Sequence, residues 1–591
     1  MTKKISRILL LVCILLNGTE TIAATPEENP SYIEKSGDLY LSESDQIWAL
    51  KTARTAIKNY LTDKSFYVPD YTPEIFSTSP RKVYVSLYNI ETHELRSCKS
   101  RQGAKNLGES IVKAAIESTK DSRFETLSQN ELDEILIDIN ILNSYRPILD
   151  IELDSAYEPG IDGIRLMENG SSLATFLPGI ATTHNYDKDT LLEKLCLKAD
   201  IAESCYQDSD YYYQKFTTFA FIEDGNGGTT TLKRTNNYLD EIDLENIEYL
   251  VTGNGEWLLN HTHENGEFDY MYYPSADSYS DNYNIVRHIG TTYALLLMYE
   301  YTDDTEYLSA AEKAITYMLQ YYKEEGDMGY IEENAVTKLG SVAIGTLVMD
   351  KAYSLTGSQE YFDYAEKFGT FLLNMQMDNG NFKNQYPEDN TDNEDAYEIY
   401  GAETNLALTR LYAQTGKAEY LTALEKSYTY TKAYFDESPS TMMVSWDTGA
   451  FSELFYLTGN QNYADLAYQA ADFIIAKQYT EETAPYWDYV GAFNKNGAQA
   501  INTATYSEGV GDALRLAIYQ NNQERIEKYT DSLELSMKFL VNMQFREDNT
   551  FYLEDPESAT GGMRASLYDN FERIDGSQHT ISAALKTLSS F

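Results

Sequence analysis

A seven-residue turn recurs through the C-terminal part of the chain and limits that part to stacked helical hairpins. It reads Tyr301-Thr-Asp-Asp-Thr-Glu-Tyr307, Leu355-Thr-Gly-Ser-Gln-Glu-Tyr361, Gln414-Thr-Gly-Lys-Ala-Glu-Tyr420 and Leu457-Thr-Gly-Asn-Gln-Asn-Tyr463. A weaker copy is Tyr519-Gln-Asn-Asn-Gln-Glu-Arg525, and successive copies are 54, 59, 43 and 62 residues apart. Each copy stops one helix, often on a glycine, and starts the next. Self-similarity at such spacing belongs to repeated supersecondary units, because one hairpin cannot bury its apolar face alone. Reading outward from the turns, helices rich in small residues begin near His288, Leu339, Gly401, Thr448, Glu508 and His579. Long amphipathic helices begin near Leu244, Tyr307, Tyr361, Tyr420, Tyr463 and Glu524. Six of each predict a closed all-α (α/α)6 toroid, with the small-residue helices as the inner ring.

Upstream the texture changes. Residues 41–223 mix helical spacing, as in Ser42 to Tyr60 and Gly108 to Lys120, with the alternation of Lys82 to Tyr88 and a β-rich run at Leu136 to Leu142. Glu223-Asp-Gly-Asn-Gly-Gly228 then breaks all periodicity. The expected organisation is multidomain: a signal peptide over 1–24, a polar leader over 25–40, an α+β domain over 41–223, a linker over 224–240 and the toroid over 241–591. The signal reading rests on Lys3, Lys4 and Arg7, the apolar run Ile8 to Leu16 and the small pair Ala23-Ala24. Nine apolar residues are too few to span a bilayer, which takes about 20. No later run is longer, so the protein is expected to be secreted or periplasmic with no membrane span. Of the cysteines beyond that segment, Cys196 and Cys205 are close enough in sequence to pair and leave Cys98 free, although spacing alone does not decide it.

Composition narrows the partners. With 46 Lys and Arg against 93 Asp and Glu, the formal charge is −47, which repels phosphate backbones and excludes nucleic acid as a partner. The 51 tyrosines exclude an acidic disordered chain, which would be poor in aromatics.

The α+β stretch carries an ordered series of short motifs: Val83-Tyr-Val-Ser-Leu87, Leu95-Arg-Ser-Cys98, Asp121-Ser-Arg-Phe124, Glu131-Leu132, Ile137-Asp-Ile139, Gly160-Ile-Asp-Gly163, Phe176-Leu-Pro178 and Lys198-Ala-Asp200. Their order and spacing resemble the AMMECR1 domain. The resemblance departs at the family's Leu-Arg-Gly-Cys-Ile-Gly hexapeptide, which here reads Leu95-Arg-Ser-Cys-Lys-Ser100. Serine lacks the φ freedom of glycine, so a reactive loop at this place is expected to be altered. The repeat architecture and its Thr-Gly-x-x-x-Tyr turn resemble the six-hairpin glycosidase-like superfamily. That resemblance implies a glycoside hydrolase, polysaccharide lyase or sugar epimerase.

In such a toroid the inner-helix N-termini surround one cleft. Carboxylates for glycosidic acid–base chemistry are then sought at Glu403, Asp447 and Glu508, and proton-transferring histidines at His288 and His579. Arg287, Lys338, Trp446, Tyr506 and Gln578 are the expected substrate-binding groups. Tyr270 to Tyr273, Tyr386, Tyr397, Tyr400 and Tyr486-Trp487 are further candidates to stack on sugar rings. Cys98 with His93 or His184 forms a weaker nucleophile–base candidate, for which a buried structural thiol is favoured. No cofactor is called for: His261 and His263 complete no metal set, and the acidic run Glu388 to Glu398 lacks the alternation of a calcium loop. The expected function is an exported carbohydrate-active protein. The alternative is a non-catalytic envelope protein that binds glycan or protein.

Overall fold

The computed structural model describes residues 39–92, 94–143, 145–148, 157–234, 236–387, 394–494, 497–550 and 552–590. The expected signal peptide, nearly all of the leader, His93 and residues 388–393 of the acidic run lie outside the described residues. From Leu41 onward the chain forms one compact unit, an α+β domain followed by a helical toroid.

The α+β domain begins with α1 (Glu43–Asp63), started by a capping box in which Ser42 and Asp45 satisfy each other's backbone N–H. Strands β1 (Val83–Asn89), β2 (Leu95–Ser100) and β3 (Ile135–Leu142) join β8 (Thr218–Glu223), β9 (Thr229–Lys233) and β10 (Asn236–Asn237) in a six-stranded sheet, ordered β10-β9-β8-β3-β1-β2. Register sets its faces. Val83, Val85 and Leu87 stand opposite Ile141, Ile139 and Ile137, an apolar row, and the helix α2 (Leu107–Ser118) packs on β1 and β2. A second sheet, ordered β4-β7-β5-β6, contains β4 (Arg146–Ile148), β5 (Gly163–Glu168), β6 (Ser171–Phe176) and β7 (Tyr211–Phe216). It carries α3 (Lys188–Lys198), whose end is stapled by the disulfide Cys196–Cys205.

The stretch expected as linker is built into the fold. Thr229 to Leu232 of β9 pair antiparallel with Glu223 to Ala220, and Arg234 is buried. The three threonines of this stretch suit a pleated strand, and a glycine-rich turn before them reads as a linker only when that strand is overlooked.

Twelve long helices follow among the described residues, with one short helical turn at Pro556–Ala559. The outer ones are α4 (Leu244–Asn260), α6 (Thr305–Met318), α8 (Gln359–Asn374), α10 (Ala418–Glu437), α12 (Gln461–Ile475) and α14 (Gln523–Met543). The inner ones are α5 (Ile285–Thr302), α7 (Leu339–Thr356), α9 (Glu394–Thr415), α11 (Val444–Thr458), α13 (Ala500–Tyr519) and α15 (Ile574–Leu588). Each inner helix packs on the next, and α15 returns to α5, so the ring is closed. The first outer helix, α4, packs on the last inner one, α15, which completes the sixth hairpin.

The repeated turn is a left-handed C-cap at or just after the first five inner helices, at Asp303, Gly357, Gly416, Gly459 and Asn521, all with φ between 55° and 71°. A residue in that conformation terminates the helix and favours glycine. The repeated tyrosine joins successive outer helices. A Cβ on Gly255 of α4 or on Gly369 of α8 would lie 2.8 Å from the hydroxyl of Tyr307 or Tyr420, so each small residue makes room for the next tyrosine. A second repeat, of glutamines just after outer-helix ends, was not evident from the turns. Gln376 donates to Ala423 O at 2.8 Å and Gln478 to Ser532 O at 2.9 Å. Gln544 donates to Leu250 O at 3.3 Å, tying α14 back to α4.

Candidate active site in the toroid

Contacts between neighbouring inner helices place six of them at one level. Gln578 of α15 lies over Gly290 of α5, where a Cβ would meet its Oε1 at 2.5 Å. Gly340 of α7 leaves room for Tyr400 and Glu403 of α9; a Cβ there would stand 2.6 Å from Glu403 Oε2. Asn405 of α9 donates to Asp447 of α11 at 2.8 Å, and Ser445 of α11 to Thr505 O of α13 at 2.6 Å. Glu508 of α13 receives His579 Nδ1–H of α15 at 2.5 Å and the Ser582 hydroxyl at 2.9 Å. The small residues are therefore what allow large polar groups to gather at this level.

Glu403, Glu508 and His579 were sought at helix starts, but they lie well inside helices that begin at Glu394, Ala500 and Ile574. Small residues mark where helices touch, not where they begin. Three expected roles change with the geometry. His288 is fully buried and points outward: Nε2–H donates to Ala314 O at 2.9 Å, and Nδ1 accepts the Tyr283 hydroxyl at 2.7 Å. Burial holds it down to about 4, so it stays neutral and structural. Asp447 turns to α9 and α10 rather than to His579. Tyr506 is 3% exposed, packs on Phe493 and donates to Thr441 Oγ1 at 3.1 Å.

The remaining groups define the site. His579 keeps 14% of its side chain exposed, with Trp446 beside its ring at 6.4 Å. Its Nδ1–H is committed to a carboxylate, which leaves Nε2 as the basic nitrogen. Arg287 is half-exposed, but its Nε donates to Asp575 at 2.6 Å and its Nη1 to the Tyr270 hydroxyl at 2.7 Å. Arg573 donates to the same Asp575 at 2.6 and 2.9 Å. Burial works to raise the Asp575 carboxyl, and Arg573 and Arg287 overcome it, leaving it below its ordinary value. The charge of Arg287 also reaches the Tyr400 hydroxyl on α9. Lys338 caps the start of α7 and has no ion-pair partner among the described residues. Of the aromatic candidates, Tyr270 and Tyr272 are core, Trp487 packs edge-on against Tyr238 at 4.7 Å, and Tyr397 falls outside the described side chains. His261 stacks on Trp257 and His263 pairs with Asp269. No group of three or more potential metal ligands occurs among the described residues.

Glu403 is buried, its Oε2 has no partner among the described residues, and burial pushes its carboxyl well above the usual range, which favours its protonated form. A folded-state pKa above the unfolded one means that folding takes up a proton above pH 4.5, and stability falls as pH rises through that window. Glu403→Gln removes this loss. Its melting temperature is expected to match the parent at pH 4 and to exceed it at pH 7.5, measured by calorimetry. Equal or lower values at pH 7.5 would show that the carboxyl is ionised and paired.

In the α+β domain, Ser86 of β1 stands opposite both Cys98 of β2 and Asp138 of β3, aligning three polar groups across adjacent strands. Burial raises the Cys98 thiol and lifts Asp138 to about 7. The charges that act on the thiol are those of Asp138, Arg123 and Lys198, not that of His184, whose ring stacks on Tyr186. The serines of the altered hexapeptide cause no strain. Ser97 lies in a regular strand, and its hydroxyl donates to Ser118 O at 2.6 Å at the end of α2. Iodoacetamide is expected to label native Cys98 at pH 7 more slowly than the urea-unfolded chain, because burial disfavours the thiolate. Equal rates would mark an activated thiol.

Comparisons follow the same division. In shape, the chain is similar to a family 76 glycoside hydrolase from a bovine Bacteroides thetaiotaomicron strain, at 11% identity and a TM-score of 0.45, over 77% of this chain and 96% of the other. It is also similar to a D-mannose isomerase, at 14% identity and a TM-score of 0.45, over 60% of this chain and 100% of that one. A protein of Methanothermobacter thermautotrophicus is 31% identical over 192 residues, 31% of this chain and 97% of the relative. The AMMECR1 family profile matches residues 50–221. Through this N-terminal domain the chain belongs to the AMMECR1 family.

Proposed function

We propose that the toroid interior is the active site of a sugar-converting enzyme that works by proton transfer, of the epimerase, isomerase or lyase type. The observation that carries this is the His579–Glu508 pair: a buried carboxylate fixes one imidazole nitrogen of a ring that stays 14% exposed beside Trp446. This arrangement suits a general base. Around the inner ring α9 stands opposite α15, three helices away in either direction, so the protonated Glu403 lies across the ring from His579. A base and an acid on opposite sides of a bound sugar ring are what removal of a proton on one face and its return on the other require.

A two-carboxylate hydrolytic mechanism has less support. It needs an acid and a second free carboxylate flanking the scissile bond, whereas Asp447 faces elsewhere and Glu508 is held by His579 and Ser582. The disulfide in the α+β domain supports an oxidising compartment, in keeping with export through the N-terminal segment.

The test incubates the full chain with neutral and uronic mono- and oligosaccharides in D₂O. Epimerisation or isomerisation places deuterium at the reacting carbon, and elimination yields an unsaturated product. If wild-type protein changes none of the panel, the catalytic reading fails. If it cleaves glycosidic bonds by hydrolysis with no carbon-bound deuterium, the proton-transfer reading fails.

A further inference from the structure

A cavity of about 300 Å³ opens between the inner helix α9 and the outer helix α10, at the low end of small-molecule sites. Between Glu398 and Asn405, α9 presents the small residues Gly401 and Ala402 to it, which leaves the space open. Its floor is a fixed chain of hydrogen bonds. The Ser427 hydroxyl donates to Asn405 Oδ1 at 2.6 Å, and Asn405 Nδ2 donates to Asp447 Oδ1 at 2.8 Å. This orients Asp447, which lines the cavity, is 3% exposed and has no partner at Oδ2 among the described residues. A buried polar atom without a partner costs about 1–3 kcal/mol, so an occupant that satisfies it is favoured.

We propose that this cavity is a second ligand site, separate from the ring interior, that takes one neutral saccharide unit with a sugar hydroxyl donating to Asp447 Oδ2. The wall explains the class of ligand. No Lys, Arg or His lines it among the described residues, so phosphate, sulfate and uronate find no counter-charge there. Hydroxyls and amides dominate the remainder, and Phe382 supplies an apolar face for the C–H side of a sugar. Glu398 is already occupied by the Tyr434 hydroxyl at 2.6 Å and by Ser440, which leaves Asp447 as the acceptor in need. Burial lifts the Asp447 carboxyl to about 7, so around neutrality it both donates and accepts, as a sugar hydroxyl does, and it gives less to an ammonium ion.

The inference is independent of the acid–base reading of the ring interior. The test is calorimetric titration of the full chain with glucose, mannose, galactose and N-acetylglucosamine, and with glucuronate and ethanolammonium. At least one neutral sugar is expected to bind, at least tenfold more weakly to Asp447→Asn and measurably more weakly to Ser427→Ala, which loosens Asn405 without touching the acid. Ala402→Phe, which fills the cavity, is expected to abolish that binding, and His579→Ala to preserve it. The proposal is overturned if no neutral sugar binds, if glucuronate or ethanolammonium binds more tightly, or if His579→Ala removes binding while Ala402→Phe leaves it intact.

Discussion

Replacing Glu508 with glutamine is expected to lower kcat on the sugar that the toroid converts by about 10²–10⁴-fold, the usual contribution of positioned acid–base catalysis, with KM little changed. Glutamine has the shape of glutamate and can still accept His579 Nδ1–H, while its amide turns to the Ser582 hydroxyl now at 2.9 Å from the carboxylate. What disappears is the negative charge that stabilises the imidazolium as it forms. Glu508 thus acts through His579 as a positioning residue, and the division between kcat and KM separates this from damage to a binding surface. His579→Ala is expected to lose activity to a similar extent and to recover part of it on addition of free imidazole. The double variant is expected to be no worse than either single one, since residues that work as a unit are not additive. A Glu508→Gln enzyme with parental kcat and an unchanged melting curve would remove the pair from the mechanism.

The pair illustrates what was and was not legible in the sequence. Hairpin turns were legible because a left-handed C-cap demands glycine or a close substitute, a local requirement visible at Gly357, Gly416 and Gly459. Ring closure was legible because the copies come in a fixed number. That Glu403, Glu508, Trp446 and His579 sit on inner helices was legible from the hairpin pattern, whereas their level along those helices was not. Side-chain direction did not: His288 and Arg287 are adjacent, yet successive helical residues point about 100° apart, so His288 serves Ala314 O while Arg287 serves Asp575. The same rotation sends Trp446 towards His579 and Asp447 towards α10. Partners distant in sequence, such as Ser582 for Glu508 or Gln544 for Leu250 O, carry no local signal at all.

Asp488→Ala is expected to cost the protein about 3–5 kcal/mol, the range for breaking a buried ion pair from one side. Arg234 is the reason. Its guanidinium, 4% exposed, donates from Nε to Asp488 Oδ2 at 2.5 Å and from Nη2 to Oδ1 at 3.2 Å, and also meets Glu158 at 2.9 Å and Pro159 O. Glu158 and Pro159 belong to the AMMECR1 domain, Arg234 to the stretch that leaves it, and Asp488 to the toroid, so this cluster locks three segments together. Burial alone would disfavour the Arg234 charge, and Asp488 with Glu158 more than reverses that. Removing Asp488 leaves most of the desolvation cost with half the compensation. The measurement is urea unfolding followed by tryptophan fluorescence, to which Trp487 beside the cluster contributes a local signal. Limited proteolysis is expected to cut the variant faster between residues 224 and 243. Arg234→Met combined with Asp488→Leu and Glu158→Gln is expected to regain most of the lost stability, because no charge of the cluster then has to be desolvated. If Asp488→Ala unfolds within about 1 kcal/mol of the parent, the value of an exposed pair, water reaches the cluster and the two domains are held by their apolar contacts instead.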